Sequence, residues 1–152
     1  MTMHARIPAL AALLVSSVLG LGVLAATGQF RTTSLEKMSL EDLEKRIVDC
    51  KDGAVWCAYG DKLQGAGRFV DAVEAYEKAL KVQPDSVDAR ISLAIALGQG
   101  KDADRFFAYF SRLSSSYPKI AVDLLERPQL AGMKDDPRWE AAAWAARAQA
   151  VD

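Results

Sequence analysis

Two prolines that lie 34 residues apart, Pro84 and Pro118, are the feature that most constrains how this chain folds. Each closes a stretch in which apolar residues recur at helical intervals on both sides of a short break. The better-defined stretch is GAVWCAYGDKLQGAGRFVDAVEAYEKALKVQP, with its break at Gly65 and Gly67. Two short amphipathic helices cannot bury their own apolar faces, so they require stacked neighbours. The sequence therefore predicts an all-α fold built from repeated helix pairs.

The first pair is defined by its spacing and by its end signals. A helix is predicted over 54–63 and a second over 68–82. Pro84 ends the second helix, and Asp85 or Ser86 is predicted to cap the helix that follows.

The same pattern returns more weakly when the frame is shifted by 34 residues. The first unit covers 53–86 and the second covers 87–120. The matched positions are Leu93 with Tyr59, Ala94 with Gly60, Leu97 with Leu63, Phe110 with Tyr76, Leu113 with Ala79, and Pro118 with Pro84. This agreement indicates an internal repeat.

A capped helix is predicted before the two units. Ser39 has the position of an N-cap, and Asp42 follows three residues later as a carboxylate variant of the capping box. The helix is predicted over 40–50, with an acidic first turn and basic residues further on, as the helix dipole favours.

After the two units the repeat breaks down. A helix is predicted over 120–125, but Pro128 interrupts it, and the segment GMKDD is predicted to be a loop. Asp136 and Pro137 have the positions of an N-cap and a first helical residue. We therefore predict a last helix over 136–149 that caps the stack.

The aromatic residues of the second half are divided between core and surface. Phe106 and Phe110 are predicted to point into the core, and Phe107 toward the outer surface. Trp144 projects about 140° away from Trp139 on a helix. Two arrangements stay open for Trp144: an exposed interaction anchor, or a side chain folded back over neighbouring alanines.

The first 28 residues are typical of an export segment. A positively charged start is followed by a run from 7 to 26 that contains no charged residue. Two outcomes stay open: cleavage at a small residue, or a retained anchor that contacts the membrane through this run. Either outcome predicts that the polar linker 29–38 and the domain 39–152 lie in the periplasm or on the outer side of the inner membrane.

Composition excludes several classes of function. The net charge is −1 and Lys and Arg form no cluster, which argues against a nucleic-acid partner. The only histidine, His4, lies in the predicted export segment. Ser–His–Asp, Cys–His and His-ligated zinc sites are therefore excluded from the folded part. We predict a protein that is not an enzyme and that holds no metal or cofactor.

The first unit resembles the tetratricopeptide repeat family at the family's own spacing. The residues that carry the resemblance are Trp56, Gly60, Leu63, Ala72, Tyr76, Ala79 and Pro84. The resemblance implies a short solenoid of about two repeats with capping helices, and small residues where helices cross. The second unit departs from the pattern at Arg90, where the aromatic residue is missing, and at Phe106, where a small residue is expected.

The order of an apolar N-terminal segment, a capped helix and a repeat is also similar to small periplasmic repeat proteins. Among these are the soluble domains of c-type cytochrome maturation factors, which hold an unfolded apocytochrome tail. That resemblance implies an alternative function, an assembly factor that holds an unfolded client, with or without a thiol-dependent step. A third hypothesis is a scaffold within an oligomer or a larger envelope complex, because two repeats bury little surface.

Cys50 and Cys57 are the only thiols of the chain. Three states stay open: a structural disulfide, two separate and partly buried thiols, or a redox-active pair. A disulfide across so short a loop would stabilise the fold by roughly 2–3 kcal/mol. The spacing is neither the C-x-x-C of redox motifs nor the C-x-x-C-H of haem attachment.

In the family, the concave surface is formed by first-helix residues next to the packing positions. Here those residues are Cys57, Asp61, Gln64, Asp88, Ile91, Ile95 and Gln99. They predict a groove with an apolar floor and an acidic edge that binds a peptide or protein segment, unless neighbouring helices cover the two isoleucines. The family's lysine–asparagine clamp for a terminal carboxylate is excluded, because the chain has no asparagine and Asp61 would repel a carboxylate.

Overall fold

The structure, a computed structural model, describes residues 34–151. Within that range the chain is all-α and contains no strand. The helices are α1 (Leu40–Arg46), α2 (Gly53–Gly65), α3 (Phe69–Val82), α4 (Val87–Gln99), α5 (Ala103–Ser116), α6 (Pro118–Leu125) and α7 (Trp139–Gln149), with a 3-10 helix, η1 (Pro128–Met133), before α7.

The chain divides into two compact units, Met1–Lys37 and Met38–Asp152, and the features below belong to the second. The predicted export segment, residues 1–28, lies outside the described residues. None of the helices within 34–151 combines the length and the apolar character that crossing a bilayer requires.

Helix α1 begins at the predicted cap but ends early. The N–H of Asp42 donates to Ser39 Oγ at 3.1 Å, and Ser39 Oγ donates to Asp42 Oδ2 at 2.6 Å. The helix stops at Arg46, so the predicted range 40–50 is too long. The chain turns because Asp49 has a left-handed φ of 57°, a conformation that ends helices.

Helices α2 and α3 pack closely along their small residues. A Cβ atom on Gly60 would lie 2.6 Å from Cε1 of Tyr76, so only glycine fits here without displacing the ring. Ala72, Tyr76 and Ala79 are fully buried on the facing side of α3, and Leu63 is fully buried on α2. This close approach, expected for Gly60 and Ala72, is confirmed.

The bounds of the next two helices repeat those of α2 and α3. Gly53 and Val87 start α2 and α4, Gly65 and Gln99 end them, and each pair is 34 positions apart. The starts and ends of α3 and α5 are separated by the same step. The loops match as well, because Gly67 and Lys101 both have left-handed φ values, 75° and 57°. The four helices therefore form two units of one length and one loop conformation.

The C-terminal segments cover α4 and α5. Gly98 of α4 lies against Leu130 of η1, so closely that a Cβ atom would clash with its side chain. Phe106 of α5 is fully buried and stacks on Trp139 of α7, with ring centroids 6.3 Å apart and an interplanar angle of 11°. Phe110 is also buried, as predicted.

Two predictions in the C-terminal region need correction at their bounds. The 3-10 helix η1 runs from Pro128 to Met133 and takes in the first two residues of GMKDD, whereas the other three form turns outside any helix, as predicted. Helix α7 begins at Trp139, three residues after the predicted start at Asp136. The reason is a turn: Asp136 Oδ1 accepts the N–H of Arg138 at 2.9 Å, so Asp136 caps that turn and not the helix.

Two aromatic side chains reach the surface. Trp144 is 74% exposed, so it does not fold back over its alanine neighbours. Phe107 is half-buried, with the guanidinium carbon of Arg138 4.6 Å from its ring centroid.

Candidate functional site

Four of the seven predicted groove residues meet between α2 and α4. Asp61 and Gln64 of α2 and Ile95 and Gln99 of α4 line one open recess of about 450 Å³, whereas Cys57, Asp88 and Ile91 do not line it. Three residues outside the prediction, Ser92, Gly65 and Gln129, complete its wall. The 34-residue step brings these side chains together, because it places neighbouring first helices side by side in register.

Tyr76, which is buried beneath this groove, contacts its polar side chains through the phenol hydroxyl. Its hydroxyl lies 2.7 Å from Asp61 Oδ1 and 2.8 Å from Gln64 Oε1, so it can donate to either acceptor. Gln64 Nε2 then donates to Gln99 Oε1 at 2.5 Å, which connects α2 to α4. Burial, followed by the hydrogen bond and the charge of Asp61, raises the pKa of Tyr76. The phenol therefore stays protonated and remains a hydrogen-bond donor at neutral pH.

The groove has a polar floor and not the predicted apolar one. Ile95 is only 7% exposed and belongs to the buried core, and Ile91 is half-buried against the same core. These two isoleucines are therefore mainly packing residues, which is the alternative that the sequence left open. Amide, hydroxyl and carboxylate groups supply most of what a ligand would touch.

The edge of the groove is acidic. The pKa of the Cys57 thiol is raised to about 11, first by burial and then by the negative charges of Asp61, Asp88 and Asp52. Asp88 itself is exposed on the first turn of α4. Asp61 and Asp88, two predicted groove residues, both raise the pKa of Cys57, which is a third. The three side chains therefore share one negatively charged environment.

Cys50 and Cys57 are two free, partly buried thiols and form no disulfide, so the second of the three open states is the one present. The N–H of Asp52 donates to Cys50 Sγ at 3.4 Å, which engages this sulfur in the cap of α2. Trp56 Nε1 donates to the carbonyl of Cys50 at 3.1 Å and fixes the same loop. The raised pKa of Cys57 also weighs against a maturation step that needs its thiolate at neutral pH.

A second cleft, which the sequence does not predict, opens between α3, α4 and α5. Its volume is about 560 Å³, and Lys81, Arg90, Arg112, Tyr109 and Tyr117 are among its lining residues. The signal for it is present in the sequence as the departure from the repeat pattern at Arg90. That departure predicts a missing aromatic side chain but does not by itself predict a cleft.

Within residues 34–151, no three His, Cys, Asp or Glu side chains are grouped so that they could hold a metal ion. Comparison with protein-family models, with curated proteins and with solved structures finds no match for this chain.

Proposed function

We propose that residues 39–152 form a tetratricopeptide-like interaction module that binds a peptide or protein segment outside the cytoplasm and catalyses no reaction. The observation that carries this proposal is the recess in which Asp61, Gln64 and Gln99 meet from α2 and α4. The 34-residue step of the helix bounds supports a repeat of the tetratricopeptide type. The contact between Gly60 and Tyr76 supports it as well, because it lies where the family requires a small residue.

The chemistry of the recess favours an extended peptide with a basic side chain. The two glutamine amides and the Ser92 hydroxyl can both donate and accept, which suits the alternating N–H and C=O groups of a peptide backbone. The negative charge of Asp61 at this recess then favours a Lys or Arg side chain of the ligand.

The Tyr76 hydroxyl supports binding by holding the groove in one arrangement before a ligand arrives. Tyr76 is fully buried, so its ring is fixed, and its single hydroxyl proton can be donated to Asp61 Oδ1 or to Gln64 Oε1. A site that is ordered in advance loses less side-chain entropy when a peptide binds.

The experiment is a selection of random linear peptides displayed against the full chain, followed by calorimetric titration of the best binder. We expect the selected peptides to be enriched in Lys and Arg. The variant Asp61→Asn keeps an acceptor for Tyr76 but loses the charge, and we expect it to weaken binding by about tenfold.

The matched control is Glu140→Gln, which removes one exposed negative charge from the first turn of α7. Its affinity is expected to equal that of the parent. Circular dichroism establishes that both variants are folded. Selected peptides without basic residues, or an unchanged affinity in Asp61→Asn, would contradict this groove as the binding site.

A further inference from the structure

The second cleft lies at the position where the two helix pairs differ most in side-chain chemistry. Arg90 of α4 occupies the place that Trp56 has in α2, since the two residues are 34 positions apart. Trp56 Nε1 donates to the carbonyl of Cys50, six residues before it. Arg90 Nη2 donates to the carbonyl of Pro84, also six residues before it. The guanidinium of Arg90 therefore donates to the backbone at the same offset as the indole of Trp56, although the two side chains differ in shape and charge.

The change of side chain is accompanied by a larger cavity. The recess beside Trp56 has a volume of about 260 Å³, whereas the one beside Arg90 has about 560 Å³. Five lining residues of each recess correspond at the same 34-residue step, and among them Ile47 matches Lys81 and Lys78 matches Arg112. The two recesses are therefore versions of one site, and the second is more open and more basic.

The basic side chains of the second cleft are not neutralised by carboxylates of the described residues. Within 34–151, Lys81, Arg90 and Arg112 form no ion pair. The cleft has one acidic residue, Glu77, and its Oε1 lies 3.0 Å from Nη2 of Arg105. Lys81, Arg90 and Arg112 thus carry uncompensated positive charge at the cleft. The carboxylate of Glu77 is paired with Arg105.

Arg90 is held rigidly but retains unused hydrogen-bonding capacity. Its guanidinium carbon lies 4.2 Å from the ring centroid of Tyr117, and Nη2 donates to the Tyr117 hydroxyl at 2.9 Å. Its Nε is buried and has no hydrogen-bond partner among the described residues. Because Nε is buried it does not face the cleft, but the guanidinium charge of Arg90, which no described carboxylate pairs with, attracts an anion that enters the cleft.

The floor of the cleft is apolar. Leu80 and the ring of Tyr109 are partly exposed there, and Leu93 and Leu113 lie buried beneath them in the core. A ligand that fits must therefore present negative charge to the rim and apolar side chains to the floor.

We propose that this cleft binds an acidic segment of a partner protein, in which Asp or Glu side chains alternate with apolar ones. The carboxylates would pair with Lys81 and Arg112, and the apolar side chains would cover Leu80 and the ring of Tyr109. A peptide is favoured over an anionic membrane, because residues 38–152 carry 16 Lys and Arg against 19 Asp and Glu, a net charge of −3. A flat anionic surface would be repelled by that excess, whereas a peptide inside the cleft meets the local positive charge. This site is independent of the groove between α2 and α4.

The test uses the full chain and calorimetric titration with a synthetic peptide of alternating Glu and Leu. Two companion peptides replace Glu by Gln or by Lys. We expect the Glu peptide to bind at least about tenfold more tightly than the Gln peptide, with an affinity that falls as salt is added. Equal binding of the Glu and Gln peptides would overturn the proposal.

The matched variants are the double substitution Lys81→Gln, Arg112→Gln in the cleft and the control Lys119→Gln on α6. All three lysine and arginine side chains are exposed, so the fold should tolerate each change. We expect the double variant to lose about tenfold or more in affinity for the Glu peptide, and the control to bind like the parent. An unchanged double variant would place the peptide elsewhere and overturn the proposal.

A third variant, Arg90→Trp, installs the side chain that Trp56 has in the first unit. It is expected to narrow the cleft and to abolish binding while the circular dichroism spectrum stays that of the parent. Inorganic phosphate and vesicles with anionic lipid are the competing probes. If phosphate displaces the Glu peptide at equal concentration, or if vesicles bind and the peptide does not, the cleft is a simple anion site or a membrane contact and the proposal fails.

Discussion

The α2/α3 pair and the α4/α5 pair have the same helix bounds and the same loop conformation, yet they bury their residues in different ways. In the first pair, the two helices pack mainly on each other through Gly60 and Tyr76. In the second, Phe106 packs outward onto Trp139 and α4 lies against η1. Backbone register alone therefore does not decide where a unit offers a binding surface, because the side chains at equivalent positions determine it.

The largest difference between the two helix pairs is expected at Phe106, which has in the second pair the position that Ala72 has in the first. Phe106→Ala removes a fully buried ring that joins α5 to α7, and we expect the free energy of unfolding to fall by about 3–5 kcal/mol. Urea denaturation measures this change. Phe107→Ala is the control, and because Phe107 is half-buried its loss should be clearly smaller. Equal losses at the two positions would mean that Phe106 is not the contact that closes the second pair.

The close approach in the first pair is tested at Gly60. Gly60→Ala places a Cβ atom 2.6 Å from the buried Tyr76 ring, so we expect a loss of about 1–3 kcal/mol in the free energy of unfolding. Gly65→Ala is the matched control on the same helix, since a Cβ atom there meets nothing within 4 Å. It should be neutral or stabilising. If both substitutions behave alike, helix propensity and not packing governs this position.

Cys57 and Ile91 occupy equivalent positions in the two units. The reactivity of the Cys57 thiol depends on the negative charge near the groove between α2 and α4. Its pKa is raised from 9.0 to about 11, so in a Cys50→Ser background iodoacetamide at pH 8.5 should react at least about tenfold more slowly with the folded chain than with the urea-unfolded chain. The folded state holds this proton more tightly, so the free energy of unfolding should fall as pH rises from 9 to 11. A native reaction rate equal to the unfolded rate would contradict a buried thiol in a negative environment.

The smallest effect is expected in the two loops, where Gly67 and Lys101 share a left-handed backbone conformation. Gly67→Ala should cost about 1 kcal/mol, because residues with a Cβ atom are strained there. Lys101→Gly should gain up to about 1 kcal/mol for the same reason. Differential scanning calorimetry of both variants measures the change in melting temperature. If the melting temperatures of Gly67→Ala and Lys101→Gly shift in the same direction, the two loops are not equivalent.

Local sequence patterns were sufficient to predict the helices of the two units. The ends of α2 and α3 depend on breaks that lie within a few residues, Gly67 after α2 and Pro84 after α3, so the local sequence locates them closely. The end of α1 and the start of α7 are harder to predict from the sequence. In both cases a turn residue, Asp49 or Asp136, forms a local arrangement that competes with the helix.

The candidate sites were harder to predict, because they depend on which helix faces are covered. Asp61, Gln64 and Gln99 share a groove as predicted, since the 34-residue step determines their positions. The burial of Ile95 could not be predicted in the same way, because it depends on how the rest of the chain packs around α4. Likewise, the sequence identifies Arg90 as an exception but does not show that the space around it stays open.

The central claim is that Arg90 and Trp56 are equivalent positions in two units of one kind. Urea denaturation of Arg90→Trp tests this claim most directly, because an indole that fits in the first unit should also fit in the second and donate to the carbonyl of Pro84. We predict a free energy of unfolding that is unchanged or higher by up to about 1 kcal/mol. A loss of more than about 2 kcal/mol, as overpacking produces, would show that the two positions are not equivalent and would contradict the account.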